Sequence, residues 1–136
     1  MKTVDPIPGR IKELMQTTNP ETPIVMINLL KFHDQAQYPE NSEHSACSGE
    51  EAYNRYSEVA FEKIKQAGGS VSFMSACVGS LIGPKDETWD KSVLVKYPSF
   101  KAFIGMIMAE EYQAASVHRT AAMDNARLIM SEELAA

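Results

Sequence analysis

Cysteine is almost absent from this chain. Cys47 and Cys77 are the two among 136 residues and have no CxxC spacing, which excludes a disulfide framework and leaves reduced thiols as the expectation. Basic runs are missing too: 13 Lys and Arg face 18 Asp and Glu, for a net charge of -5. Sequence-independent binding to nucleic-acid phosphates or to anionic membranes therefore lacks a basis. No apolar run reaches the ~20 residues of a bilayer span, and Met1 to Arg10 has no signal-peptide core, so the expected location is cytoplasmic. There is no GxGxxG, no Walker A loop and no GxSxG elbow. Nucleotide cofactors and serine-hydrolase chemistry have no support, and no cofactor is expected.

What is present suits one globular domain, with 44% hydrophobic and 23% charged residues. Ile7, Ile11, Leu14 and Met15 have helical spacing before Asn19, Pro20 and Pro23 stop them, so residues 1–23 read as a helical extension and 24–136 as the main domain. Ile24 to Phe32 (IVMINLLKF) is apolar on both alternations, the pattern of a strand buried on both faces. The polar stretch from His33 to Ser48 has no period and is long for a connection, which suits a lid or a mobile loop. Ser48 and Glu51 form a capping box, and Gly68 with Gly69 ends the helix it opens. A long strand is expected from Ser70 to Ile82. The turn PKDETWD then leads into a hairpin partner, Ser92 to Tyr97. Pro98 and Ser99 start a second helix with a break near Ala109 and Glu110, and Ala126 to Met130 is the last strand.

The order β, α, β, β, α, β after the extension is the split βαβ, ferredoxin-like α+β arrangement with a four-stranded antiparallel sheet. Two helices cover one face of such a sheet. Since the first strand is apolar on both sides, the other face is expected to pair with a second copy in a dimeric α+β barrel. The greater polarity of Asn28, Ser92 and Lys96 assigns them to the sheet-to-sheet side, and Val25, Ile27, Leu29, Val93 and Val95 to the helix side. A monomer would then expose Met26, Leu30 and Leu94.

The segments VMINLLKF, EAYNRYSEVA, GGSV, VGSLIGPKDETWDKSVLVKYPS and EYQAASVHRTAAMDNARLI resemble, in order and spacing, an uncharacterised domain-of-unknown-function family of the dimeric α+β barrel superfamily. The resemblance spans about Ile24 to Met130 and is most distinctive at Lys96 to Ser99 and Glu110 to Arg119. Relatives commonly carry a proline before the EYQ element, where this chain has Ala109 and Glu110, so a softer helix break is expected. The resemblance implies a ferredoxin-like protomer that pairs face to face; it implies no activity. The wider superfamily includes cofactor-independent monooxygenases, isomerases and haem-dependent enzymes, which sets a fold-level prior only.

Among polar residues, His118 and Arg119 are the best acid–base and anion-binding pair, set against a plain helix C-terminal cation pair. Asn28 lies in an apolar strand, where burial demands a partner: a ligand or a structural hydrogen bond. Lys96 supplies a charge to a pocket or snorkels to solvent. Tyr53, Tyr56 and Tyr112 present phenols either to a substrate or to the rim of the core. Trp89 and Asp90 read as structural at the hairpin. His33, Asp34, His44 and Cys47 match no zinc spacing, and Cys77 reads as core. The expected pocket lies between sheet and helices and is touched by Asn28, Tyr56, Lys96, His118 and Arg119. Two functions stay open. One is a small-molecule-binding protein acting without a tightly held cofactor on a carbonyl, enol or aromatic compound, with His118 moving a proton while Arg119 and Asn28 stabilise charge. The other is a non-catalytic dimeric binding or stress-related module. Haem bound through His118 is a third, weaker reading.

Overall fold

A computed structural model describes residues 1–135. In chain order the elements are α1 (Arg10–Thr17), β1 (Ile24–Phe32), α2 (Gly49–Gln66), β2 (Ser70–Ala76), β3 (Lys91–Tyr97), α3 (Phe100–Ile107), α4 (Glu110–Ala122) and β4 (Met123–Ser131). The sheet is antiparallel in the order β2-β3-β1-β4, which is the ferredoxin-like α+β fold. β1 is central, as its two-sided apolar pattern requires.

Helix boundaries follow local chemistry. The Ser48 hydroxyl accepts from the Glu51 amide and starts α2. At the other end Gly68 takes a φ of 82°, and the amides of Gly68 and Gly69 reach back to the carbonyls of Lys65 and Ile64, a Schellman closure. Ser99 caps α3 through the Ala102 amide. Between α3 and α4 the chain extends at Ala109, and the Gln113 carboxamide donates to the freed Ile107 carbonyl.

Two sequence expectations need correction. The register sets Met26 opposite Val95 and Asn28 opposite Val93, and residues directly opposite across an antiparallel pair share a face. Ile24, Met26, Asn28 and Leu30 therefore point to the helices with Val93 and Val95, while Val25, Ile27 and Leu29 lie on the outer face with Leu94. Met26 and Leu30 are 3% and 0% exposed, so they are not the residues a monomer would leave in water. Polarity alone does not fix the side that Asn28 faces; its pairing with Val93 does. Second, β2 ends at Ala76, not Ile82, because its partner strand begins at Lys91 and the Asp90 amide is already taken by the Leu30 carbonyl. Beyond that point Val78 and Leu81 are fully exposed.

The helix-side core is built from Leu30, Phe100 and Met123 at its most enclosed point, with Ala52, Tyr53 and Ile64 of α2 packed against it. Segment 33–48 has no helix or strand but is tied down at intervals. The amides of His33 and Gln37 donate to the carbonyls of Ala122 and Ala121, and Ala36 donates to Cys47. These bonds hold the segment against the end of α4.

Candidate functional site

The helix side of the sheet does not close completely. A cavity of about 50 Å³ remains between β1, β3, α2 and α4, and among its lining residues are Asn28, Tyr53, Tyr56, Tyr112 and Arg119. Its polar groups are ordered by one another. Tyr56 and Tyr112 share a hydroxyl–hydroxyl hydrogen bond of 2.6 Å. The Asn28 amide nitrogen donates to the Val93 carbonyl at 3.1 Å, which is how a carboxamide is tolerated inside an apolar strand; its Oδ1 accepts no hydrogen bond among the described residues. Burial raises the Tyr53 phenol to about 12, with Arg119 pulling the other way. Burial also pushes Tyr56 well above its ordinary value, reinforced by Tyr112. Tyr53 and Tyr56 are therefore neutral hydrogen-bond donors at physiological pH.

Arg119 is the one charged side chain among the described residues lining this cavity. Its Nη1 donates to the Val4 carbonyl at 2.8 Å, and no carboxylate pairs with it among the described residues. A guanidinium has five donors, so most of its hydrogen-bonding capacity is free. The site therefore offers cationic and neutral donors in apolar walls and contains no carboxylate or imidazole base.

His118 is not part of it. Neighbouring positions on a helix diverge by about 100°, and α4 turns Arg119 to the cavity but His118 toward segment 33–48. There the Tyr38 hydroxyl lies 2.7 Å from His118 Nδ1, Arg55 Nη1 donates to the same hydroxyl at 3.1 Å, and the His44 ring sits edge-on with its centroid 4.4 Å from that of His118. Lys96 is also elsewhere: it stands on the outer sheet face beside Glu133, 3.4 Å away. Of the expected pocket residues the fold gathers Asn28, Tyr56 and Arg119, and adds Tyr53 and Tyr112. Tyr38 lies in an aperiodic loop, which carries no signal of what it packs against, and Arg55 is one of several charged residues along α2. His33 Nδ1 lies 3.7 Å from an Asp124 carboxylate oxygen, whereas His44 packs on His118. Asp90 accepts from the Phe32 amide at 2.8 Å, and the Arg127 guanidinium lies 5.2 Å above the Trp89 ring, both structural roles.

A family model described as "Domain of unknown function (DUF1330)" matches residues 43–133, more than half of the chain. The chain belongs to this family. Among solved structures it is similar to the RPA0582 protein of unknown function from Rhodopseudomonas palustris, at 32% identity over 100% of both chains with a TM-score of 0.90. The methylated form of that protein matches at 33% identity over 98% of this chain and 96% of the other, with a TM-score of 0.90. A dimeric ferredoxin-like protein of unknown function from Bacteroides fragilis matches at 15% identity over 82% and 96% of the two chains with a TM-score of 0.48, too remote to bear on assembly or role. No curated protein matches.

In this DUF1330 chain no cluster of three or more His, Cys, Asp or Glu side chains is placed to hold a metal ion among the described residues. No helix among them is long and apolar enough to cross a membrane. What the cavity can do is hold an oxygen that carries or develops negative charge: Arg119 and the phenols would donate to it inside a low-dielectric wall, where such bonds are strongest.

Proposed function

We propose that this DUF1330 protein binds a small organic oxyanion or carbonyl compound at the Asn28, Tyr56, Tyr112 and Arg119 site, and that it does so as a homodimer. The observation that carries the reading is the guanidinium of Arg119, set among buried phenols without a carboxylate partner. Leaving a cation half-desolvated and unpaired costs stability, and an anionic ligand offsets that cost. Pairing of the outer sheet faces is supported by their apolar content: Val25, Ile27, Leu29 and Leu94 lie together there, with Phe73 and Ile129 more than half exposed at 54% and 52%.

The test is a thermal-shift and native mass-spectrometry screen of small carboxylates, 2-oxo acids and phenols against the natural protein and Arg119→Gln. Stabilisation by at least one class, lost in the variant, is expected. Equal responses from both proteins across the whole panel would remove Arg119 as the anchor and the reading with it. Catalysis on the bound compound is the finer form of this proposal. Stabilisation of an enolate by Arg119 suits the donors present, whereas direct proton transfer by His118 does not, because that ring faces Tyr38 and His44.

A further inference from the structure

The N-terminal segment covers much more than the edge of the sheet. Residues 1–5 run along β4 as a short strap: the Ala126 amide donates to the Thr3 carbonyl and the Thr3 hydroxyl to the Ala126 carbonyl, both at 2.6 Å. Arg127 holds the Met1 carbonyl at 2.8 Å and Arg119 the Val4 carbonyl at 2.8 Å. The chain then turns at Gly9, whose φ of 87° is a glycine conformation, enters α1, and is fixed again where the Lys101 amide donates to the Pro20 carbonyl. Between these two anchors no residue of α1 is fully buried; Ile11 and Leu14 are partly buried against the core, and Ile7, just before the helix, is exposed.

Beneath α1 lies a cavity of about 770 Å³. Ile7, Ile11 and Leu14 form its roof, and Ile107, Leu128 and Met130 are part of its floor. At its inner end stand Tyr112 and Arg119, which also line the smaller cavity, so the two spaces meet at the guanidinium. This open groove has a volume in the ~300–1,000 Å³ range of small-molecule sites, and Thr3, Gln113 and Ser116 join the apolar residues in its lining. Of the other charges near it, Arg127 pairs with Glu87 at 2.7 Å and Arg10 lies 3.8 Å from Glu13, while Asp5 accepts from the Thr120 hydroxyl and has no cationic partner among the described residues. Arg119 alone of these cations has no acidic partner among the described residues.

We infer that the natural ligand is an amphipathic organic acid, whose carboxylate is held by Arg119 and whose alkyl or aryl body fills the groove roofed by α1. The inference rests on the binding site proposed above and adds the ligand class and the N-terminal helix as part of the site. α1 is then a wall that the ligand completes, which fits an amphipathic helix whose apolar side is only partly buried.

The experiment is calorimetric titration of the full chain with hexanoate, octanoate, decanoate and uncharged decanamide, together with acetate perturbation followed by NMR. Kd is expected to fall about two- to fourfold per added methylene. Decanamide should bind about tenfold more weakly than decanoate, and Arg119→Gln should erase that difference. Ile11→Ala with Leu14→Ala, changes outside the enclosed core, should flatten the chain-length dependence. An affinity flat in chain length, combined with an Arg119-dependent response to acetate, would overturn the inference and leave the smaller site standing, as it would if α1 simply closes on the groove floor. No Arg119-dependent response to any acid would overturn both.

Discussion

The Tyr38 hydroxyl accepts a hydrogen bond from Arg55 and lies 2.7 Å from His118 Nδ1, so one phenol joins a cation to an imidazole. Desolvation lowers the His118 pKa first, followed by the nearby His44 and Arg55. The unfolded chain therefore binds the proton more readily than the folded one. The contribution is fully present above the unfolded value of about 6.5 and declines as pH falls through the lowered folded value. A melting temperature that drops between pH 7.5 and 5.5, and drops less in His118→Gln, is the expected result. An equal decline in both proteins would mean that other groups carry it.

Tyr38→Phe removes the acceptor of Arg55 and the partner of His118 Nδ1 in one step. A measurable loss of stability is expected in urea unfolding. NMR titration supplies the second readout. With the phenol gone, the burial, His44 and Arg55 that lower the His118 pKa remain, so its midpoint should stay below the ordinary value while the imidazole resonances shift with the lost partner. A variant whose stability and imidazole resonances both match the natural protein would show that the network is incidental.

How much of this was legible beforehand depended on whether a feature is set by near or distant residues. The Ser48 cap, the Gly68 stop and the break at Ala109 are local and could be read directly. The burial side of β1 is not local, because apolar residues stand on both alternations and only the pairing of Asn28 with Val93 decides between them. The same holds for β2, whose end is set by where β3 starts. At the site, Asn28, Tyr56 and Arg119 were recoverable from their chemistry. Adjacency in sequence does not place His118 and Arg119 in one site, since successive helix side chains diverge by about 100°. The groove under α1 gave no signal, since a helix with an apolar stripe reads the same whether it packs on protein or on a ligand.

Gly49 is expected to be intolerant of any side chain. A Cβ there would collide with the His33 carbonyl oxygen and approach that of Ala122 within 2.9 Å. Both are backbone atoms held by the hydrogen bond from the His33 amide to the Ala122 carbonyl, so they cannot swing aside. Gly49→Ala should cost at least about 2 kcal/mol by overpacking. It should also loosen segment 33–48, seen as faster amide exchange at Ala36 and Gln37. A loss below about 0.5 kcal/mol with unchanged exchange would show that the segment moves more freely than its bonds imply.

Assembly is tested on the outer face of the sheet. Ile27 and Leu94 pair directly across β1 and β3, and Ile129 extends the patch from β4, opposite Ile27. Val78 and Leu81, just past β2, are fully exposed and Ile82 is 95% exposed. Burying a large aliphatic side chain is worth about 1.5–3 kcal/mol, so a surface with this many of them gains several times the stability of a typical salt bridge by meeting its own copy. The patch carries few charges at its centre, and a two-fold axis through Ile27 and Leu94 would let identical apolar surfaces meet without opposing like charges. Sedimentation equilibrium at tens of micromolar should therefore report a dimer, and Leu94→Lys should shift it to monomer while leaving the helix-side core, and acid binding at Arg119, unchanged. A natural protein that stays monomeric at every concentration would sink the pairing argument, whereas a Leu94→Lys protein that remains dimeric would move the interface to the exposed 78–82 turn.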